Sequence, residues 1–266
     1  MQRIGLIAGN GRFPFLVAEQ IKKNGDQVVV LAIKEETDPA IEKIADTIHW
    51  LNLGQLQKLI DLLHAEKANT VIMSGQVKHV QIFKDLSLDW RAIKLMGALI
   101  NKKTDTILGR IADELAKEGI TLLPSHTYLT DLMADKGIMA GIKPSKTELA
   151  DIEFGFRIAK EIARLDIGQT VVVKDRSIVA VESVEGTNEC IKRAAGLAGD
   201  NVIAIKVAKP NQDWRFDVPV IGMDTITLLS ETHSRLIAVE AGATLMLDKQ
   251  NMIEQAKAMS VTIVGV

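Results

Sequence analysis

Two periodicities take turns along this chain. Arg3 to Ala8 is a short apolar run that stops at Gly9-Asn10-Gly11. Pro14 then suits the first turn of a helix, where its missing N–H would be unpaired anyway. Apolar residues follow at Phe15, Leu16, Val17 and Ile21, and Asn24-Gly25 stops the helix. Gln27 to Ile33 is continuous and β-branched, the pattern of a strand buried on both faces. Leu53, Leu56, Leu59, Ile60 and Leu63 form a helical stripe. Thr70 to Met73 is a strand closed by Ser74-Gly75. Leu86 to Ile100 and Thr106 to Lys117 read as helices, the second capped by Thr104 or Asp105. Ile120 to Leu123 is a further strand. Such alternation builds a parallel sheet with helices on both faces.

The pattern restarts near residue 147. Residues 132 to 146 hold two glycines, a proline and three lysines without a clean period. Thr147 would cap a helix from Glu148 to Arg164, and Asp175-Arg176 would turn a hairpin between two Val-rich strands. A helix (188–197), a strand (202–208), a short strand (218–221), a helix (225–240), a strand (244–247), a helix and a last strand (261–264) follow. The expected fold class is α/β in two domains. An N-terminal Rossmann-like domain (1–132) has a parallel sheet with helices on both faces. A linker (133–146) leads to a distinct C-terminal α/β catalytic domain (147–266).

Composition excludes several function classes. Of 266 residues, 47% are hydrophobic and the net charge is only −2, so disorder is not the main state. With 32 basic against 34 acidic residues, no global field for nucleic acid exists. One cysteine, Cys190, rules out an intrachain disulfide and a Cys-based zinc site. The N-terminus lacks a signal-peptide layout, and no apolar run nears the roughly 20 residues of a spanning helix. A cytoplasmic protein is expected. No Gly-x-Ser-x-Gly elbow or Walker motif occurs.

Four segments carry chemistry. Gly9-Asn10-Gly11 between strand and helix reads either as a tight turn or as an anion cradle at a helix N-terminus. Pro14 stands where the dinucleotide fingerprint has its third glycine, although Glu35 and Glu36 lie where a ribose-binding acid would. Ser74-Gly75-Gln76 ends the next strong strand, at the edge where open α/β sheets bind ligands. Lys102-Lys103-Thr104-Asp105 would cap a helix or face a diphosphate. The densest polar run is Lys209 to Pro219. Its Asp213 and Asp217 are oxygen ligands of the kind Mg²⁺ or Mn²⁺ prefers. Its Lys209 and Arg215 suit phosphate oxygens. The same run also reads as a solvated charged loop.

Taken together, the segments resemble a known family. They are Gly5-Leu6-Ile7-Ala8-Gly9-x-Gly11 with Pro14, Ser74-Gly75-Gln76-Val77, Thr104-Asp105, Ala163-Arg164-Leu165-Asp166-Ile167-Gly168-Gln169, Glu185-Gly186-Thr187, Lys209-Pro210-x-Gln212-x-x-Arg215-x-Asp217-x-Pro219, and Glu240-Ala241-Gly242. In this order they resemble the LpxI-type UDP-2,3-diacylglucosamine pyrophosphatases of lipid A biosynthesis. The resemblance implies hydrolysis of UDP-2,3-diacylglucosamine to 2,3-diacylglucosamine 1-phosphate (lipid X) and UMP, with a divalent metal, usually Mg²⁺. It implies that the lipid nucleotide is held between two domains, and that the essential acid is Asp217. On that basis Asp217 would bind metal or orient water, with Asp213 a second metal contact. Arg215, Lys209 and Gln212 would serve the phosphoryl group. Gly9, Asn10, Gly11, Ser74, Gly75, Gln76, Thr104, Asp105, Asp166, Gln169, Glu185 and Thr187 would bind substrate. A homodimer stays open, as does peripheral contact with the inner membrane through the lipid. The rival readings are a nicotinamide-dependent oxidoreductase, a non-catalytic sugar-nucleotide or lipid-binding protein, and a nucleotide-sugar transferase.

Overall fold

The structure is a computed structural model that describes residues 1–77, 88–97 and 104–266. The chain divides into two compact units. The first holds Met1–Leu129 and also Asp213–Asp217, and the second holds Thr130–Gln212 and Val218–Val266.

The first unit is built on β1 (Arg3–Ala8), α1 (Phe13–Lys23), β2 (Gln27–Ile33), a 3-10 turn (Pro39–Lys43), β3 (Thr47–Leu51), α2 (Leu56–Ala65), β4 (Thr70–Ser74), α3 (Trp90–Gly97), α4 (Thr104–Lys117) and β5 (Thr121–Leu122). All its strand pairs are parallel, in the order β3-β2-β1-β4-β5. Alternate residues of β2 explain the unbroken apolar run. Val29, Leu31 and Ile33 join Leu56, Ile60, Leu63 and Leu115 in one buried cluster, while α1 packs against β1 and β2 from its own buried Leu16, Val17 and Ile21. Both faces are covered, as the sequence predicts.

The strand order reverses between β1 and β4. Loops leaving two neighbouring strands toward opposite sides open a crevice at their carboxyl ends, and ligands of open α/β sheets bind there.

The second unit contains β6 (Gly137–Ala140), α5 (Lys146–Arg164), β7 (Thr170–Lys174), β8 (Ser177–Val181), α6 (Thr187–Ala198), β9 (Ile203–Lys206), β10 (Val220–Ile221), α7 (Met223–Glu231), β11 (Leu236–Val239), β12 (Leu245–Met246), α8 (Lys249–Ala258) and β13 (Thr262–Gly265). Its main sheet runs β6-β13-β11-β9-β7-β8, parallel only among β9, β11 and β13. Val171, Val173, Ile203 and Ile205 face α5, whereas Val172, Ala204 and Ile237 face α6 and its neighbours. Asp175 and Arg176 have φ of 50° and 54°, so the β7–β8 hairpin turns through two left-handed residues.

Three expectations are corrected here. The helix expected over 225–240 ends at Glu231, and Leu236–Val239 is the strand β11 in the middle of the sheet. Thr232, then His233 with φ of 50°, turn the chain between them. The helix α5 is capped by Ser145, not Thr147: the Glu148 N–H donates to Ser145 Oγ at 3.3 Å while Glu148 Oε2 accepts from the Ser145 N–H at 2.7 Å. Helix α4 begins at Thr104 rather than Thr106.

Candidate functional site

At the switch point the loops after β1 and β4 lock together through their backbones. The Gly9 N–H donates to Ser74 O at 2.9 Å, the Asn10 N–H to Gln76 O at 2.7 Å, and the Gln76 N–H returns to Asn10 O at 3.1 Å. A Cβ on Gly9 would stand 2.6 Å from Gln76 O, and one on Gly75 would stand 2.8 Å from Pro14 Cγ. Thr37 ties down the same end of the sheet. Its hydroxyl donates to Ala8 O at 2.6 Å and accepts from the Ile33 N–H at 2.9 Å.

These glycines therefore serve loop-to-loop contact first. The amides of Gly9 and Asn10 are already bonded within the protein, so an anion here would meet the backbone from Gly11 onward into the first turn of α1. Gly11 has a φ of +96° and open space around it. The Ser74 hydroxyl is buried and has no hydrogen-bond partner among the described residues. Thr104 and Asp105 open α4, but their side chains, like all of Lys102 and Lys103, lie outside the described residues.

Asp213–Asp217 is the second candidate segment. This strap is encoded in the second half of the chain, yet it packs in the first unit. Asp213 is committed to Arg215: Nε donates to Oδ1 at 2.9 Å and Nη2 to Oδ2 at 2.6 Å. The guanidinium holds the Asp213 carboxyl below the usual carboxylate range, and the carboxylate raises Arg215 in return. The Asp217 N–H donates to Asp213 O at 3.0 Å, which closes the strap into a turn. Trp214 O accepts from the Ser125 N–H, and Arg215 O from the Ser125 hydroxyl, each at 2.7 Å. The His126 ring stands edge-on to Trp214, with centroids 5.2 Å apart. Burial lowers the pKa of His126.

The donor set can be tested for a divalent cation. Both Asp213 oxygens already accept from Arg215, so a cation at Asp213 would share them with the guanidinium. Among the described residues, no group of three or more His, Cys, Asp and Glu converges. Mg²⁺ is commonly held by one or two carboxylates with substrate phosphates and water completing the shell. Asp217, half-buried on the same strap, suits that kind of site.

The second unit gathers several nominated residues where β7 begins and β9 ends. Lys209 Nζ lies 2.9 Å from Asp166 Oδ1, and Asp166 sits in left-handed backbone with φ of 57°. The Lys209 N–H donates to Gln212 Oε1 at 2.7 Å. Thr187 Oγ donates to Glu182 Oε1 at 2.8 Å and accepts from Lys206 Nζ at 2.6 Å. The Gln169 N–H donates to Glu182 Oε2 at 3.2 Å. Glu185 points elsewhere: it pairs with Arg193 at the surface, and that guanidinium lowers its pKa.

Sequence reasoning missed Lys206 and Lys160. Lys160 Nζ reaches both Glu240 oxygens at 3.0 Å and Ala208 O at 2.8 Å. For Lys206 the signal was present: it is the one charge inside the apolar run Val202 to Ala208. A lysine in a strand buried on both faces needs a partner.

Comparison with known proteins places the whole chain. Residues 3–132 match the family model of the LpxI N-terminal domain, and residues 135–264 that of the LpxI C-terminal domain. The UDP-2,3-diacylglucosamine pyrophosphatase LpxI of Caulobacter vibrioides is 31% identical over 278 residues, covering 100% of this chain and 98% of that protein. Among solved structures, the biotin carboxylase of Campylobacter jejuni matches at 13% identity and a TM-score of 0.30, over 73% of this chain and 42% of that one. The N5-carboxyaminoimidazole synthetase of Staphylococcus aureus matches at 14% and 0.29, over 75% and 36%. The chain thus spans about two-fifths of these structures, and at such TM-scores the likeness does not establish a common fold.

Proposed function

This chain belongs to the LpxI family, and from that premise we propose that it hydrolyses the diphosphate of UDP-2,3-diacylglucosamine, giving 2,3-diacylglucosamine 1-phosphate and UMP in lipid A biosynthesis. One observation carries the reading: the match to the named pyrophosphatase runs over the entire chain, both family domains included. The strap with Asp217 supports it, because that acid belongs to the same unit as the glycine loops at the switch point.

In the proposed reaction, water attacks one phosphorus and the phosphoanhydride P–O bond breaks. Asp217 would hold a divalent cation or would orient the attacking water. A bound Mg²⁺ would supply charge compensation on the diphosphate oxygens. Arg215 adds positive charge near Asp217 and is kept in place by Asp213. Gly11 and the first turn of α1 offer backbone donors to a nucleotide phosphate. Lys209, Gln212, Asp166, Gln169 and Thr187 supply the polar groups of the second unit.

No helix among the described residues is long and apolar enough to cross a membrane. A substrate with two acyl chains partitions into a bilayer, so we place the protein in the cytoplasm, peripheral to the inner membrane.

The test is turnover. The protein is incubated with UDP-2,3-diacylglucosamine and Mg²⁺, with and without chelator, and UMP release is followed. Chelator-sensitive UMP and lipid X support the reading, and Asp217→Ala should then lose more than ~100-fold in rate with the fold intact. A folded protein that releases no UMP with any of several metals overturns it.

A further inference from the structure

The strap that carries Asp217 is anchored by a residue that nothing in the motif pattern singles out. Ser125 follows β5, so it lies at the carboxyl edge of the parallel sheet, the edge from which the Gly9–Gly11 and Ser74–Gln76 loops also leave. It is 1% exposed. Both of its donors go to the strap, on consecutive carbonyls: its N–H to Trp214 O and its hydroxyl to Arg215 O, each at 2.7 Å. Ninety positions separate the hydroxyl from the carbonyl it holds. The His126 ring against Trp214 guards the same contact from the next position.

Two short bonds to adjacent carbonyls fix both the position and the rotation of the strap backbone. Asp217 is two residues further on, and its own N–H is bonded back to Asp213 O at 3.0 Å. The carboxylate thus inherits its placement from a turn whose middle is pinned by Ser125. Removing the hydroxyl would leave the Arg215 carbonyl without this donor and free the strap to shift. Misplacement of a catalytic group by about 1 Å can cost on the order of 100-fold in rate.

We propose that Ser125 is a positioning residue for the hydrolysis, acting through the strap on Asp217. The proposal rests on the hydrolase reading above. It also explains why a segment encoded in the C-terminal half packs with the N-terminal one: the acid is delivered to the edge where the glycine loops stand.

The test uses the full-length protein and two variants, Ser125→Ala and Ser125→Cys. The second keeps the volume and only weakens the donor, so it stays informative if the alanine variant folds poorly. Two readouts are taken, UMP release and hydrogen–deuterium exchange of the amides in residues 213–217. Both variants should lower kcat, Ser125→Ala by about 10- to 100-fold, with KM within about twofold. Exchange in the strap should rise by about fivefold or more while the exchange of β1, β2 and β4 is unchanged. In an Asp217→Asn background, Ser125→Ala should have little further effect on the residual rate, because groups that act as a unit are not additive. Unchanged kcat, or a kcat loss with unchanged strap exchange, or an equal loss in the Asp217→Asn background, overturns the proposal. Failure of the hydrolase reading is seen separately, as absence of UMP release by the unsubstituted protein. In that case strap exchange still reports whether Ser125 holds the segment, and the catalytic part of the proposal falls.

Discussion

Gly75 and Asn10 meet at backbone distance: a Cβ built on Gly75 would stand 2.7 Å from the Asn10 carbonyl oxygen. The glycine also has a φ of +88°, so an alanine there meets an obstacle and a strained backbone at once. Gly11, with φ of +96°, has nothing within 4 Å of its Cβ position. Gly75→Ala should therefore destabilise the protein by about 2 kcal/mol or more, and Gly11→Ala by about 1 kcal/mol. Denaturant unfolding of the two variants checks this. Equal losses would mean that the two loops are not interlocked.

Cys190 sits on α6 with no exposed surface, and burial pushes its thiol up to about 12 from an ordinary 9.0. The thiolate is the reactive species. A thiol reagent at pH 8 should leave the native protein unlabelled and label one site per chain in denaturant. A raised pKa in the folded state means that this contribution is whole below 9 and declines as pH climbs toward 12. Rapid labelling of the native protein would contradict the burial of α6 against the sheet.

Much of this architecture is legible in the sequence, and the failures have physical causes. The run Gln27 to Ile33 reads as a doubly buried strand because Val28 to Ile33 are unbroken and apolar, and β2 has those bounds. Strand β3 was missed because Thr47, Ile48, His49 and Trp50 are only partly buried at the sheet edge, so their pattern is neither alternating nor continuous. Helix α7 and strand β11 fused in the sequence reading, since Ile226, Leu229, Leu236 and Ile237 fit a helical period across the turn at His233. The polar run with Asp213 and Asp217 is visible as a dense charge cluster. Its packing partner is not, because Ser125 contributes a hydroxyl and an amide that no periodicity marks.

The Asp213–Arg215 pair makes a pH prediction. Arg215 holds the Asp213 carboxyl below its ordinary 3.8. A depressed pKa contributes stability above the unfolded value and loses it as pH falls through the folded one. Arg215→Ala should therefore cost stability above pH 4, and the difference from the unsubstituted protein should shrink on acidification below 3.8. Unfolding by urea at pH 3 and pH 6 checks it. A difference that grows toward pH 3 would show that Arg215 stabilises the strap by something other than this ion pair.

Lys206, Thr187 and Glu182 form one chain of hydrogen bonds. The buried lysine donates to the threonine hydroxyl at 2.6 Å, and that hydroxyl donates to the buried carboxylate at 2.8 Å. The hydroxyl is thus both acceptor and donor, and its geometry orders the two charged groups around it. The hydroxyl bridges two buried charges, and removing one charge so that the other is left buried without compensation costs about 3–5 kcal/mol. Lys206→Met should fall in that range, and Thr187→Val should cost about 1–3 kcal/mol by removing a shared hydrogen-bond partner. Because both variants break the same chain of bonds, the double variant should lose less than the sum of the two. Urea unfolding of the four proteins gives the coupling. Strict additivity would mean that the three groups do not act as one network, and would leave Lys206 needing a different explanation for its burial in β9.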